Sequence, residues 1–143
     1  MLNVALAKGR LADSCADIFI KCGIRAEILK EETRKLVLET PDKKFKFFFV
    51  KPADVPTYVE YGIADIGIVG KDTLLEAGAD LYEMLDLKFE KCKLCLAGFP
   101  EKKEMLSSPH LRVATKYVHT AQKLFFSRGE DVEIIKLNGS IEL

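Results

Sequence analysis

The chain has 143 residues, enough for one good core, or for one small domain and part of another. Lys plus Arg and Asp plus Glu stand at 22 each, and this zero formal charge argues against a nucleic-acid coat or a membrane-surface protein, both of which need a basic face. A hydrophobic fraction of 48% with 31% charged residues is ordinary for a soluble globular chain, and no stretch approaches the roughly 20 apolar residues of a membrane span. In the opening ten residues the apolar run is short and the basic residues follow it, so no secretory signal is expected and the cytoplasm is the predicted location.

Residues 2–7 read as a first, central strand, with Lys8-Gly9-Arg10 at its carboxyl end. Leu11, Cys15, Ile18, Phe19 and Cys22 then recur at helical spacing, and Gly23 suits the position after a helix end. Residues 24–29 are expected as a strand and 31–35 as a polar connection. Residues 36–38 and 45–50 are two further strands, joined as a hairpin through the turn-like 40–44. The phenylalanines at 45 and 47–49 read as core. After Lys51, a helix is expected from Asp54 as N-cap, with Pro56 in its first turn and Gly62 closing it.

The stretch 60–79 organises the rest. Residues 66–69 form a short apolar run expected of a strand buried on both faces. Gly70 breaks the run, and Thr73 to Glu76 fits a capping box, placing a helix start within a residue or two of Asp72. A strand feeding a helix through a glycine exposes backbone N–H groups suited to phosphate, with Lys71 as an added charge. Strands alternating with helices predict an open α/β sheet, in which ligands sit beyond the carboxyl ends of strands. Lys8, Arg10, Lys51 and the Gly70 corner all fall at such ends.

Further on, residues 86–98 are expected as one long alternating strand and 99–109 as a loop. Residues 111–115 form a strand; Val118, Ala121, Leu124 and Phe125 give a helical face closed by Gly129; residues 132–137 form another strand, followed by Asn138-Gly139-Ser140. The predicted division is a first α/β lobe over 1–91 and the beginning of a second over 92–143. Glu142-Leu143 follows a ligand-type corner directly, so the second lobe is expected to be incomplete and the native product longer. The Cys92-x-x-Cys95 spacing lies inside an expected strand, and Cys15 and Cys22 lie on a helix. All four thiols are therefore expected to be inert and partly buried. His110 and His119 have no catalytic partner nearby in sequence and are assigned structural or surface roles.

Six motifs occur in one order: Lys8-Gly-Arg-Leu11, Asp54-Val-Pro-Thr-Tyr-Val59, Ala64-Asp-Ile-Gly67, Gly70-Lys-Asp72, Ala114-Thr-Lys-Tyr117 and Leu137-Asn-Gly-Ser-Ile-Glu142. Together they resemble the short-form catalytic subunits of ATP phosphoribosyltransferase, and the resemblance runs from residue 1 to 143. It implies an α/β fold like the type-2 periplasmic binding proteins, bilobal, with the active site in the cleft. It implies the first step of histidine biosynthesis, in which ATP and phosphoribosyl pyrophosphate give phosphoribosyl-ATP and pyrophosphate, with Mg2+ as cofactor. Short forms work with a histidyl-tRNA-synthetase-like regulatory subunit, in a hetero-octamer built on catalytic dimers.

Adenine N1 attacks the anomeric carbon with its own lone pair, so the reaction needs cations, magnesium and backbone N–H groups more than a side-chain nucleophile. Carried over by resemblance, Lys8, Gly9 and Arg10 meet ligand phosphates. Arg34 neutralises the leaving group, and Lys51 stands where relatives often have arginine, offering a point charge without a bidentate fork. Gly70, Lys71 and Asp72 line the nucleotide side; Thr115, Lys116 and Tyr117 form part of the second-lobe wall; Asn138, Gly139, Ser140 and Glu142 approach the nucleotide. No protein metal ligands are implied. The family's phosphoribose 5-phosphate loop is not reached before residue 143, so the chain as given is expected to be inactive alone and at best a weak nucleotide binder. The competing readings are a non-catalytic nucleotide- or anion-binding module and a regulatory subunit of the same fold.

Overall fold

The computed structural model of the protein describes residues 1–89, 91–107 and 110–141; within it the chain separates into two compact units, Met1–Lys91 and Cys92–Leu143. The first unit is built on β1 (Leu2–Leu6), whose apolar run carries it to the middle of a four-stranded sheet. Val4, Ala5 and Leu6 are fully buried there, as both-face burial of a central strand demands. The helix α1 (Arg10–Lys21) begins after Gly9, whose φ of +93° is a backbone geometry that favours glycine. It buries Ala12, Cys15 and Ala16 at the predicted spacing and ends at Gly23, also at positive φ.

The hairpin forms as expected from β2 (Val37–Glu39) and β3 (Phe45–Phe49), paired antiparallel. Its turn is fastened by Thr40, which is buried and whose hydroxyl donates to Asp42 at 2.6 Å and accepts from the Phe45 N–H at 3.1 Å. The helix α2 (Val55–Glu60) follows a short 3-10 turn over Pro52–Asp54; Asp54 is its N-cap residue but makes no side-chain cap bond. Then come β4 (Ile66–Ile68) and α3 (Lys71–Ala77). The sheet order is β2-β3-β1-β4, with β3 and β4 both parallel to β1. Phe19 meets Phe45 and Phe47 with ring centroids 5.9 and 5.5 Å apart, and this cluster, with Val4, Leu6, Cys15 and Leu38, forms the larger core. A smaller core lies on the other face, where Ala5, Val55 and Ala64 pack with Val59 and Tyr58. Gly67 permits this packing: a Cβ there would stand 2.8 Å from Val55 Cγ1 and 2.9 Å from Val59 Cγ2.

In the second unit, β5 (Leu111–Thr115), α4 (Val118–Ser127) and β6 (Val132–Lys136) form one β-α-β crossover with parallel strands in register from Leu111↔Val132 to Thr115↔Lys136.

Several expectations are corrected. Residues 24–29 are not a strand: Glu27–Lys30 is a 3-10 helix, and the buried Ala26 and Leu29 stand three apart, a spacing that a tight helical turn turns to one side. The strand β4 is not buried on both faces. It lies at the sheet edge against β1 alone, and Ile66 is 43% exposed. The helix α3 starts at the expected place, but Gly70 is its N-cap and no side-chain cap bond forms; the Gly70 carbonyl takes the first amides, those of Thr73 and Leu74. Among the described residues of 86–98 no strand forms, because an alternating pattern needs a ladder partner and these residues have none; Leu94 and Leu96 are half exposed. The expected loop at 99–109 holds a 3-10 stretch over Pro100–Ser107, kinked at Lys102; its residues 108 and 109 lie outside the described residues.

Candidate functional site

The register of the parallel strands places the basic residues. Leu6 is level with both Phe49 and Ile68, so the positions two beyond each strand end, Lys8, Lys51 and Gly70, fall at one edge of the sheet. A further bond from the Val50 N–H to the Leu6 carbonyl, 3.0 Å, keeps the first two strand ends side by side. The antiparallel β2 enters at this same edge: the Phe49 N–H donates to the Leu36 carbonyl at 2.8 Å, so the preceding segment with Arg34 arrives there too. Arg10 opens α1 and Lys71 opens α3, each just past a strand end. Lys8, Arg10, Arg34, Lys51 and Lys71 are all exposed. Separated in sequence, these five cations share one rim of the first unit.

The rim has fixed parts. The Lys8 ammonium donates to the Thr33 carbonyl at 2.8 Å and lies 5.3 Å from the centre of the Phe49 ring. The Thr33 hydroxyl accepts from the Lys35 N–H at 3.1 Å, turning the chain about Arg34. Among the described residues the head groups of Arg34 and Lys51 make no hydrogen bond or ion pair, while Lys71 is paired with the Glu83 carboxylate. An anion approaching Lys71 therefore competes with a carboxylate already in place. Asp72 folds its carboxylate back over Gly70, so the corner is not purely positive.

The second unit has a smaller version of this edge. Thr115 ends β5 and Lys116 and Tyr117 follow it, and Asn138, Gly139 and Ser140 lie beyond β6 at the same end. The Leu137 N–H donates to the Thr115 carbonyl at 3.1 Å, and the Tyr117 N–H to the Thr115 hydroxyl at 3.0 Å. The Lys116 ammonium rests 4.6 Å from the centre of the Tyr117 ring. Glu142 lies outside the described residues.

The expectation that the thiols are partly buried holds for Cys15 alone. Cys22, Cys92 and Cys95 are exposed, the last two because their segment has no strand partner. Burial pushes the Cys15 thiol up to about 12. Among the described residues no group of three or more His, Cys, Asp or Glu is placed to hold a metal ion, and no helix is long and apolar enough to cross a membrane. Sequence reasoning missed Thr33, Phe49 and Glu83. Phe49 stands in a Phe-rich run with nothing to distinguish it, and a backbone carbonyl such as that of Thr33 has no sequence signature.

Three parallel strands whose ends carry cations and helix starts define an α/β protein with the kind of strand-end corner at which such sheets commonly hold phosphorylated ligands. A family model described as HisG: ATP phosphoribosyltransferase matches residues 51–143. The ATP phosphoribosyltransferase of Ruminiclostridium cellulolyticum is 56% identical over 144 aligned positions, covering 99% of this chain and 67% of that protein. That of Brachyspira hyodysenteriae is 54% identical, covering 100% and 69%. The solved ATP phosphoribosyl transferase (HisG:HisZ) complex from Thermotoga maritima matches with a TM-score of 0.69 at 30% identity, over 100% of this chain and 67% of that one. The chain belongs to the ATP phosphoribosyltransferase family, the transferases of the first step of histidine biosynthesis, and has their periplasmic-binding-protein-like α/β fold. It spans about two thirds of the length of these relatives.

Proposed function

We propose that the cationic rim of the first unit grips the pyrophosphate group that departs when ATP and phosphoribosyl pyrophosphate combine. The observation that carries this reading is the common level of Lys8, Lys51 and Gly70 at the ends of three parallel strands, joined by the Arg34 segment. Lys8 and Arg10, beside the backbone of Gly9, hold ligand phosphates. Arg34 and Lys51 face the charge that grows as the bond to the anomeric carbon breaks, and stabilising that charge is where such groups accelerate a reaction. Gly70, Lys71 and Asp72 line the nucleotide side, with Glu83 releasing Lys71 as an anion arrives. Thr115, Lys116, Tyr117, Asn138, Gly139, Ser140 and Glu142 contact the nucleotide.

Magnesium, when bound, neutralises phosphate charge. This ion commonly keeps several waters and takes its other ligands from substrate phosphates, so it does not require a carboxylate cage, and none is found among the described residues. The Thermotoga maritima relative was solved as a HisG:HisZ complex, which supports a regulatory partner for this chain as well. Cytoplasmic placement fits a biosynthetic enzyme that consumes nucleotides.

Calorimetric titration with ATP and with phosphoribosyl pyrophosphate tests the reading. Both ligands are expected to bind, and Arg34→Ala is expected to weaken phosphoribosyl pyrophosphate by about tenfold, the size of one charge-assisted hydrogen bond. Binding of ATP alone, unchanged by Arg34→Ala, would favour a nucleotide sensor instead.

A further inference from the structure

Lys8 is joined to two partners from different parts of the chain. Its ammonium donates to the Thr33 carbonyl and lies over the Phe49 ring, 5.3 Å from the centroid. Phe49 is the last residue of β3 and 7% exposed, so the ring is a fixed surface while the lysine above it is exposed. An ammonium has three donors, and one goes to Thr33. The other two have no hydrogen-bond partner among the described residues and are left for an anion at the rim.

Thr33 immediately precedes Arg34, so whatever places Lys8 also places the backbone that carries the arginine. A long lysine stem normally samples many rotamers, and ordering it on binding costs affinity. A ring beneath the charge removes part of that cost in advance, because the negative face of the aromatic attracts the cation.

We propose that Phe49 is a positioning residue for anion capture: its ring seats Lys8, and Lys8 in turn fastens the Arg34 segment to the same rim. This rests on the proposed pyrophosphate site. Phe49 touches no substrate and acts through Lys8. It thereby stands apart from Phe47, a neighbour in the same strand that is fully buried in the core and has no cation above its ring among the described residues.

The test measures the affinity of the full chain for inorganic pyrophosphate by calorimetry. Incorporating 4-fluoro- and then 3,5-difluorophenylalanine at position 49 keeps the ring's shape while draining its negative face. The expected result is a graded loss reaching about threefold, the scale of an exposed cation–π contact. Phe49→Met should lose about as much or more, and Phe49→Tyr should restore binding. In a Lys8→Met background the fluorinated rings should change nothing further. Phe47→Leu should lower stability and leave pyrophosphate affinity within twofold.

Affinity indifferent to fluorination in the unsubstituted chain, or equally sensitive to it with Lys8 removed, would overturn the role of Phe49 and leave the pyrophosphate site standing. No pyrophosphate binding by the unsubstituted chain would overturn the site itself, and the inference with it.

Discussion

The two units carry the same device at different depths of support. In the first, most of the rim cations follow three parallel strands whose middle member buries Val4, Ala5 and Leu6 fully, with an aromatic cluster behind them. In the second, the corresponding corners stand on a two-stranded sheet, and Phe125 is the one buried residue among those of that unit whose burial is described. The difference teaches where precision resides. In the proposed site, the charges that meet the departing pyrophosphate are tied to the unit with the deeper core, and the polar groups Thr115, Asn138 and Ser140 to the thinner one.

The comparison breaks most visibly at the cores. Phe47→Ala should cost about 3–5 kcal/mol in urea unfolding of the first unit. Amide exchange should place β1 and β3 among the slowest-exchanging segments and β5 and β6 among the faster ones. Protection of β5 and β6 equal to that of β1 would contradict the contrast.

A smaller effect is expected at Gly67→Ala. The added methyl would meet Val55 and Val59 closer than 3 Å, pushing α2 off β4 at a cost of about 1–3 kcal/mol. Val55→Ala in the same chain should recover part of that loss. A neutral Gly67→Ala would show that α2 shifts without resistance.

The smallest signal concerns the thiols and does not depend on function. Cys22, Cys92 and Cys95 should react with a thiol reagent at neutral pH without denaturant, while Cys15, its thiol pushed up to about 12 by burial, should wait for unfolding. Four fast thiols would mean that α1 does not cover the first core.

Much of this was legible in the chain. The strands at 2–7, 45–50 and 111–115 announced themselves as bounded apolar runs, and Gly23 and Gly129 marked helix ends, both at positive φ. Lys8, Lys51 and Gly70 could be placed at strand ends by counting, because parallel register converts sequence position into spatial level. Periodicity failed where burial is one-sided or a partner is absent. Ala26 and Leu29 fit a turn as well as a strand, and the alternating residues near Leu94 specify a strand that pairs with nothing described. The pairing of Lys71 with Glu83, and of Lys8 with Thr33, depends on tertiary approach across 12 and 25 positions, which no local pattern encodes.

The most direct measurement of the central claim is amide chemical-shift mapping of the chain during a pyrophosphate titration. The account predicts the largest shifts at residues 8–10, 33–36, 51 and 70–72, growing together with one binding constant. Shifts centred away from this rim, for example at the exposed hairpin turn around Lys43 and Lys44, or scattered with no common constant, would contradict it.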